Sequence, residues 1–452
     1  MSLTYHMWTI GCQMNEADSR HLSSQLEALG YHEADSSTDA DLVVLNTCVI
    51  RQQAEDKAVG KLHTLKSMKK KKPNTTIALM GCMVGIKEAP RLKQRFPFVD
   101  VFMPPSETEP LLDYLGDQGL YDHNKLRDTR EKAIRNAIQD EEFVLPALQR
   151  KSAVTAHVPI VLGCSHACTF CIIPYRRGIE RSRPKQEIVH EVTTLVDQGI
   201  REVMLLGQIV DRYGTDLNED YDLADLLYDV ANINGLFRIR FLTSHPNWMT
   251  DKLIDAVKDI DKVCPQLEIP VQAGNDEVLA NMRRGYTNAA YRTLVDRVRS
   301  RMPDAMVHTD IIVGFPGETD EQFMDTYSLL KDLRLDKVHL AKYSERPQTI
   351  ATRKMEDDVT PVEKERRRKK IDELDTIIQT EKNSRLLHKT VEVLVEGRDD
   401  RKGRWRGRTL QNKLTYFEDN RDLLGKLVDV NINRAGPYSL LGSTSISLPS
   451  ML

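Results

Sequence analysis

The sequence predicts an α/β protein built mainly on parallel strands. Short apolar segments alternate with helical patterns over the first third of the chain and again from about residue 154 to 344. Such alternation gives parallel sheets with helices on their faces. Six segments recur in the middle region, as in an incomplete parallel (β/α)6 barrel. Cysteines stand just beyond several of the segments, which marks where such a scaffold would do its chemistry.

In the first third, Met7–Cys12, Leu42–Cys48 and Ile77–Cys82 each read as a buried strand ending in a cysteine. Helical patterns follow at about 15–29, 52–70 and 85–95, with Asn15 and Asp41 where turn or capping residues belong. Loops beyond the carboxyl ends of parallel strands share one edge of the sheet, where the binding crevice forms. Cys12, Cys48 and Cys82 are therefore expected to converge as a three-thiolate site. The alternative is three unrelated core thiols, since free cysteine is often buried. The run Lys69–Lys72 reads as the solvated end of a helix, with phosphate contact as its alternative. Val99–Pro105 reads as the last strand, and 116–152 as a charged connector with an amphipathic stretch at Leu126–Ile138.

The six central segments are Thr155–Leu162, Glu202–Gly207, Phe237–Thr243, Gln266–Gln272, Met306–Gly314 and Lys337–Tyr343. Helical patterns at Lys185–Gln198, Leu223–Ala231, Asp251–Lys258, Tyr291–Ser300 and Glu321–Leu333 separate them. The catalytic face of such a barrel is its C-terminal mouth. The first loop there carries Cys164, Cys168 and Cys171, spaced C-x3-C-x2-C. Three thiolates can hold three irons of a cubane and leave the fourth iron open to a small molecule. Structural zinc is closed by four protein ligands and would need His166 as well. Later loops bring Gly207 and Gln208, Ser244 and His245, Gln272, and Gly314-Phe315-Pro316-Gly317 to the same mouth as candidate cofactor contacts.

Each candidate has a plain structural alternative. Gly-Phe-Pro-Gly is also a tight turn, and His245 before Pro246 is also a satisfied buried histidine. Cys264 reads as a structural thiol. The arginines at 176, 177, 181 and 183 form either a solvated turn or a clamp for carboxylate or phosphate.

The formal net charge is −3, but residues 361–410 hold 15 Lys and Arg against 10 Asp and Glu. A basic C-terminal part on an acidic body suits a polyanion on one side. The apolar runs are too short to span a membrane, and the first residues show no secretory pattern. Seven cysteines, an odd count, read as metal ligands plus a leftover thiol in a reducing compartment, so a cytoplasmic location is expected.

The C-x3-C-x2-C loop resembles the radical S-adenosylmethionine superfamily. Gly163–Gly178 and Arg181-Ser182-Arg183 look like its methylthiotransferases. Gly11–Glu16, Asn46–Arg51 and Gly81-Cys82-Met83 look like the branch acting on tRNA. The resemblance implies an N-terminal flavodoxin-like α/β domain (1–118), a linker (119–152), a radical barrel (153–382) and a C-terminal all-β TRAM barrel (383–446). It implies two [4Fe-4S] clusters, a radical one on Cys164, Cys168 and Cys171 and an auxiliary one on Cys12, Cys48 and Cys82. The implied reaction is methylthiolation at C2 of N6-isopentenyladenosine next to the tRNA anticodon, using two S-adenosylmethionine. The expected partners are the tRNA anticodon loop and an electron donor such as flavodoxin or ferredoxin, with no membrane and with the chain as a monomer.

The C-terminal segment fits this by itself. Thr390–Val395 and Leu427–Asn433 read as strands, and Arg398, Arg401, Lys402, Arg404, Arg406 and Arg408 cluster between them as RNA-binding candidates. Trp405 and Tyr416 interleave with these charges, either to stack on bases or to pack. The chain departs from the family pattern at Ile209, Asp211, Glu268 and Gly85 and keeps all six cysteines. Three other readings stay open: methylthiolation of a ribosomal-protein aspartate, methylthiolation of threonylcarbamoyladenosine in tRNA, and a non-enzymatic iron–sulfur RNA-binding protein.

Overall fold

The structure is a computed structural model. It describes residues 3–50, 52–87, 89–118, 145–150, 152–218, 220–399 and 401–444. The amphipathic stretch expected at 126–138, most of the connector, and Arg51 lie outside the described residues.

The N-terminal sheet is wholly parallel, with strands ordered His32–Glu33, Thr4–Thr9, Leu42–Thr47, Thr76–Gly81 and Val101–Met103. In chain order this is 2-1-3-4-5, the flavodoxin-like order, which places a ligand crevice between the first and third strands. Cys12 lies beyond the first of these and Cys48 directly after the third. The short edge strand His32–Glu33 carries no apolar pattern in the sequence. Helix Gln13–Ala28 begins at Cys12, and Asn15 lies inside it rather than capping it. The third expected helix is only Ala89–Arg95, because residues 82–87 turn sharply after Cys82. The lysine run ends helix Gln52–Lys71, where Lys69 pairs with Asp100.

The six central strands appear where the apolar segments lie: Thr155–Pro159, Glu202–Leu206, Arg238–Leu242, Gln266–Glu268, Met306–Val313 and Lys337–Lys342. The first three and the last three form two parallel sheets in chain order, linked by a parallel bridge between Ile239 and Val263. Among the described residues the first and last strands are not paired, so the barrel is open on one side. Apolar side chains of all six strands pack with the outer helices in one core. Helix Gln13–Ala28 lies against the first strand and helix Pro361–Ser384 against the last. A polar cavity of about 580 Å³ opens between them, lined among others by Glu16, His157, Glu268, His308, His339 and Arg408.

Helix Pro361–Ser384 starts with proline and is capped by Thr360, whose hydroxyl accepts the Glu363 amide. Its basic side chains are largely engaged within the chain. Arg367 pairs with Glu318 and Glu363, Arg368 with Glu365, and Lys382 with Asp336. The positive excess of residues 361–410 is thus neutralised along the helix and left free mainly beyond it.

Beyond that helix, Thr390–Asp399, Arg404–Thr409, Leu414–Glu418, Leu440–Thr444 and Leu427–Ala435 close a five-stranded barrel in that spatial order. Val393, Val395, Trp405, Phe417, Val430 and Ile432 fill it. It docks at the N-terminal rim of the central barrel, away from the cysteine mouth. Arg238 and Arg240, at the start of the third central strand, donate to the carbonyls of Arg408, Thr409 and Leu410.

Candidate active site

The three N-terminal cysteines come together as the strand order predicts. Gly11 (φ 150°) brings the loops so close that a Cβ there would stand 3.0 Å from the Cys48 Cβ. Gly81 (φ 98°) has no room either, since a Cβ would meet Asn46 Oδ1 and Thr47 O at 2.5 Å. Asn15 ties the loops together, its Nδ2 donating to Asn46 Oδ1 at 2.8 Å and Thr47 O at 3.0 Å. Burial pushes the Cys82 thiol up to about 11, with Arg177 opposing the rise and Cys48 and Cys12 adding to it. A metal must displace protons from such thiols.

The second triad sits at the barrel mouth. Burial pushes Cys164 up to about 11 and Cys171 up to about 12, in each case with Cys168 adding to the rise. Arg284 Nη1 lies 3.3 Å from Cys168 Sγ and His166 Nδ1 lies 3.0 Å from it. Among the described residues no three His, Cys, Asp or Glu side chains are placed to share one metal ion. A cubane binds each cysteine through a separate iron, so its three thiolates need not share one ion.

The polar surroundings fit a bound group. Ser244 Oγ and His245 Nε2 are buried without a hydrogen-bond partner among the described residues. The His245 ring lies 4.9 Å from His166, 4.6 Å from Trp248 and 5.4 Å from Tyr286. Burial, then Arg284, His166 and Arg212, push His245 down to about 2, so it is neutral. Asp211 accepts the His245 amide at 2.9 and 3.2 Å, and burial pushes its carboxyl up to about 7. Glu180 holds Arg212 Nε at 2.7 and 2.9 Å, and the guanidinium lies over Trp248. Thr243 (φ 68°) and Gln272 (φ 73°) end the third and fourth strand regions in left-handed conformations. That is costly for a β-branched residue, and strain of this kind clusters at functional sites.

The remaining candidates divide. Gly207 makes a tight turn against Val210, and Gln208 beside it is half-buried. The Gly314–Gly317 loop is engaged by the protein itself: Gly314 N donates to Glu318 and Gly317 N to Asp358. Phe315 is buried against Tyr343, and Pro316 is buried with it. Cys264 is a buried thiol raised to about 12 by burial.

On the C-terminal barrel Arg398, Arg401, Lys402 and Arg406 are exposed, while Arg404 is half-buried and pairs with Glu418 at 3.0 Å. Arg408 differs, because it lines the internal cavity and is engaged by Glu396 and Asn412. Trp405 packs, donating its Nε1 to Asp419 O at 3.1 Å, with Arg398 over its ring. Tyr416 borders a surface groove with Lys402, Arg404 and Arg434.

Sequence reasoning did not single out Asp18, Arg212, Trp248, Arg284 or Tyr286. No periodicity marks them, since they reach the site from four separate loops and helices, Arg284 and Tyr286 from one loop. Arg177 was legible only as one of an arginine run.

An open parallel barrel with three cysteines in its first loop, followed by a basic five-stranded barrel, defines a radical S-adenosylmethionine enzyme with a nucleic-acid-binding module. The comparisons agree. Family models match at residues 158–330 (Radical SAM superfamily), 4–104 (Uncharacterized protein family UPF0004) and 385–444 (TRAM domain). A tRNA-2-methylthio-N(6)-dimethylallyladenosine synthase of Dehalococcoides mccartyi (strain CBDB1) is 47% identical over 96% of this chain and 97% of its own. One of Roseiflexus sp. (strain RS-1) is 46% identical over 97% and 89%. A solved radical S-adenosylmethionine methyltransferase, TsrM, from Kitasatospora setae, with cobalamin and a [4Fe-4S] cluster bound, matches with TM-score 0.55 and 14% identity over 77% of each chain. That likeness concerns the fold. The chain belongs to the tRNA-2-methylthio-N(6)-dimethylallyladenosine synthase family, whose chemistry rests on S-adenosylmethionine and [4Fe-4S] clusters.

Proposed function

We propose that Cys164, Cys168 and Cys171 hold a radical [4Fe-4S] cluster and Cys12, Cys48 and Cys82 an auxiliary one. Together they serve the family reaction, methylthiolation at C2 of N6-isopentenyladenosine beside the tRNA anticodon. The observation that carries this reading is the pairing of two cysteine triads through one short helix, Ile173–Arg177, which starts two residues after Cys171. When bound, the radical cluster with S-adenosylmethionine would supply hydrogen abstraction, and the auxiliary cluster would present the sulfur of the methylthio group.

The chain's own residues bind and orient. Ser244 and His245 offer their unpartnered atoms to the polar end of S-adenosylmethionine. His245, neutral, adds no charge beside Arg284. Trp248 and Tyr286 wall the mouth and exclude water. The target base leaves the anticodon-loop stack to reach them, as in other base-modifying enzymes. Arg398, Arg401, Lys402 and Arg406 meet tRNA phosphates.

No second chain is needed to complete either triad, which supports a monomer. A flavodoxin- or ferredoxin-type donor suits one-electron reduction of such a cluster. No described helix is long and apolar enough to cross a membrane, and a tRNA substrate with reduced thiolates suits the cytoplasm.

Nucleoside mass spectrometry of tRNA from a strain lacking the gene tests the reading. It expects loss of 2-methylthio-isopentenyladenosine and build-up of isopentenyladenosine. Persistence of the methylthio nucleoside, with loss of a methylthio group from a ribosomal protein, would overturn it.

A further inference from the structure

We infer that Arg177, carried by the radical-cluster loop, is the counter-charge of the auxiliary cluster and sets that cluster's reduction potential jointly with Asp18. The inference rests on the assignment of Cys12, Cys48 and Cys82 as cluster ligands.

The geometry is specific. Arg177 stands six residues after Cys171 at the end of helix Ile173–Arg177, yet its side chain points into the N-terminal domain. There its charge acts on the Cys82 thiol, its Nη2 lies 3.2 Å from Asn15 Oδ1 and 3.3 Å from Asp18 Oδ2, and its Nη1 lies 3.5 Å from Ser106 Oγ. Both Arg177 and Asp18 are 3% exposed in their side chains. Asp18 is itself shared, accepting from Ser106 Oγ at 2.7 Å. Among the described residues Arg177 Nε has no acceptor.

A guanidinium so deeply buried needs compensation along its whole fork. Asp18 and Asn15 share Nη2 and only the Ser106 hydroxyl meets Nη1, so one carboxylate leaves much of the positive charge to the thiolate face of Cys82 and Cys12, whose charges act on Arg177. The potential of an iron–sulfur cluster follows net charge, hydrogen bonds to its sulfurs and burial. Arg177 supplies the first, a buried positive charge beside the ligands. It acts through the ligands and is a positioning residue. It also ties the radical-cluster loop to the N-terminal domain through the short helix Ile173–Arg177.

The test uses the full chain with Cys164, Cys168 and Cys171 all changed to Ala, so that only the auxiliary cluster remains. Its midpoint potential is followed by electron paramagnetic resonance during redox titration. Arg177→Met is expected to lower the midpoint, and Arg177→Lys to return most of the shift. Asp18→Asn removes the competing anion and is expected to raise it. If Arg177→Met fails to hold iron, the Asp18→Asn measurement decides the matter. Unchanged midpoints in a loaded protein overturn the inference. No iron in the parent triple variant overturns instead the assignment of the auxiliary ligands.

Discussion

Arg240 Nε stands 3.1 Å from Glu202 Oε1, with both side chains 1% exposed, at the seam between the central and C-terminal barrels. The same guanidinium donates to the carbonyls of Thr409 and Leu410 and to Gln266. A single side chain thus neutralises a buried acid and anchors the RNA-binding module.

Removing one partner strands the other. Arg240→Met is expected to cost about 3–5 kcal/mol, the range for breaking a buried pair. Urea unfolding should show this, and limited proteolysis should release the C-terminal barrel first. An unchanged midpoint would mean the seam does not hold the barrels together.

The two triads predict different losses. Cys164→Ala should abolish S-adenosylmethionine cleavage. Cys82→Ala should retain cleavage to 5′-deoxyadenosine, yield no methylthio product and halve the iron from about eight per chain. Chromatography of the nucleoside products with iron analysis checks both.

Burial, with Asp310 adding to it, raises Glu268 in the barrel lumen from 4.5 to about 8. His339 approaches it at 3.9 Å, and His308 and Lys337 share the cavity. A carboxyl with a raised folded pKa contributes stability that is whole below its unfolded pKa and is lost as pH climbs to the folded one. Glu268→Gln should therefore be more stable than the parent above about pH 8, with the gap closing between that pH and about 4.5. Thermal unfolding at pH 5 and pH 9 reads the difference, and a gap that widens toward acid refutes it.

The arginines of the C-terminal barrel should separate in salt titrations of tRNA binding. Arg401→Gln with Lys402→Gln should flatten the slope of log K against log salt by about 1 for each phosphate no longer neutralised. Arg408→Gln, paired and turned into the cavity, should leave the slope unchanged.

Much of this protein was determined by sequence alone, because the signals are local. The C-x3-C-x2-C spacing puts three thiols on one loop. The apolar segments and their helices placed all six central strands, and strand-end cysteines converge in any parallel sheet wound this way. Tertiary structure decided what depends on distant neighbours. Arg177 could have faced solvent, and only the docking of two domains buries it on Asp18. Trp405 could have stacked on a base, and closure of the barrel packs it inward. Arg408 shares its strand with the exposed Arg406, but the seam turns it toward the lumen. Arg284 and Tyr286 meet Cys168 and His245 only because the barrel curves. Burial of a charge is set by whatever covers it, and what covers these charges comes from elsewhere in the chain.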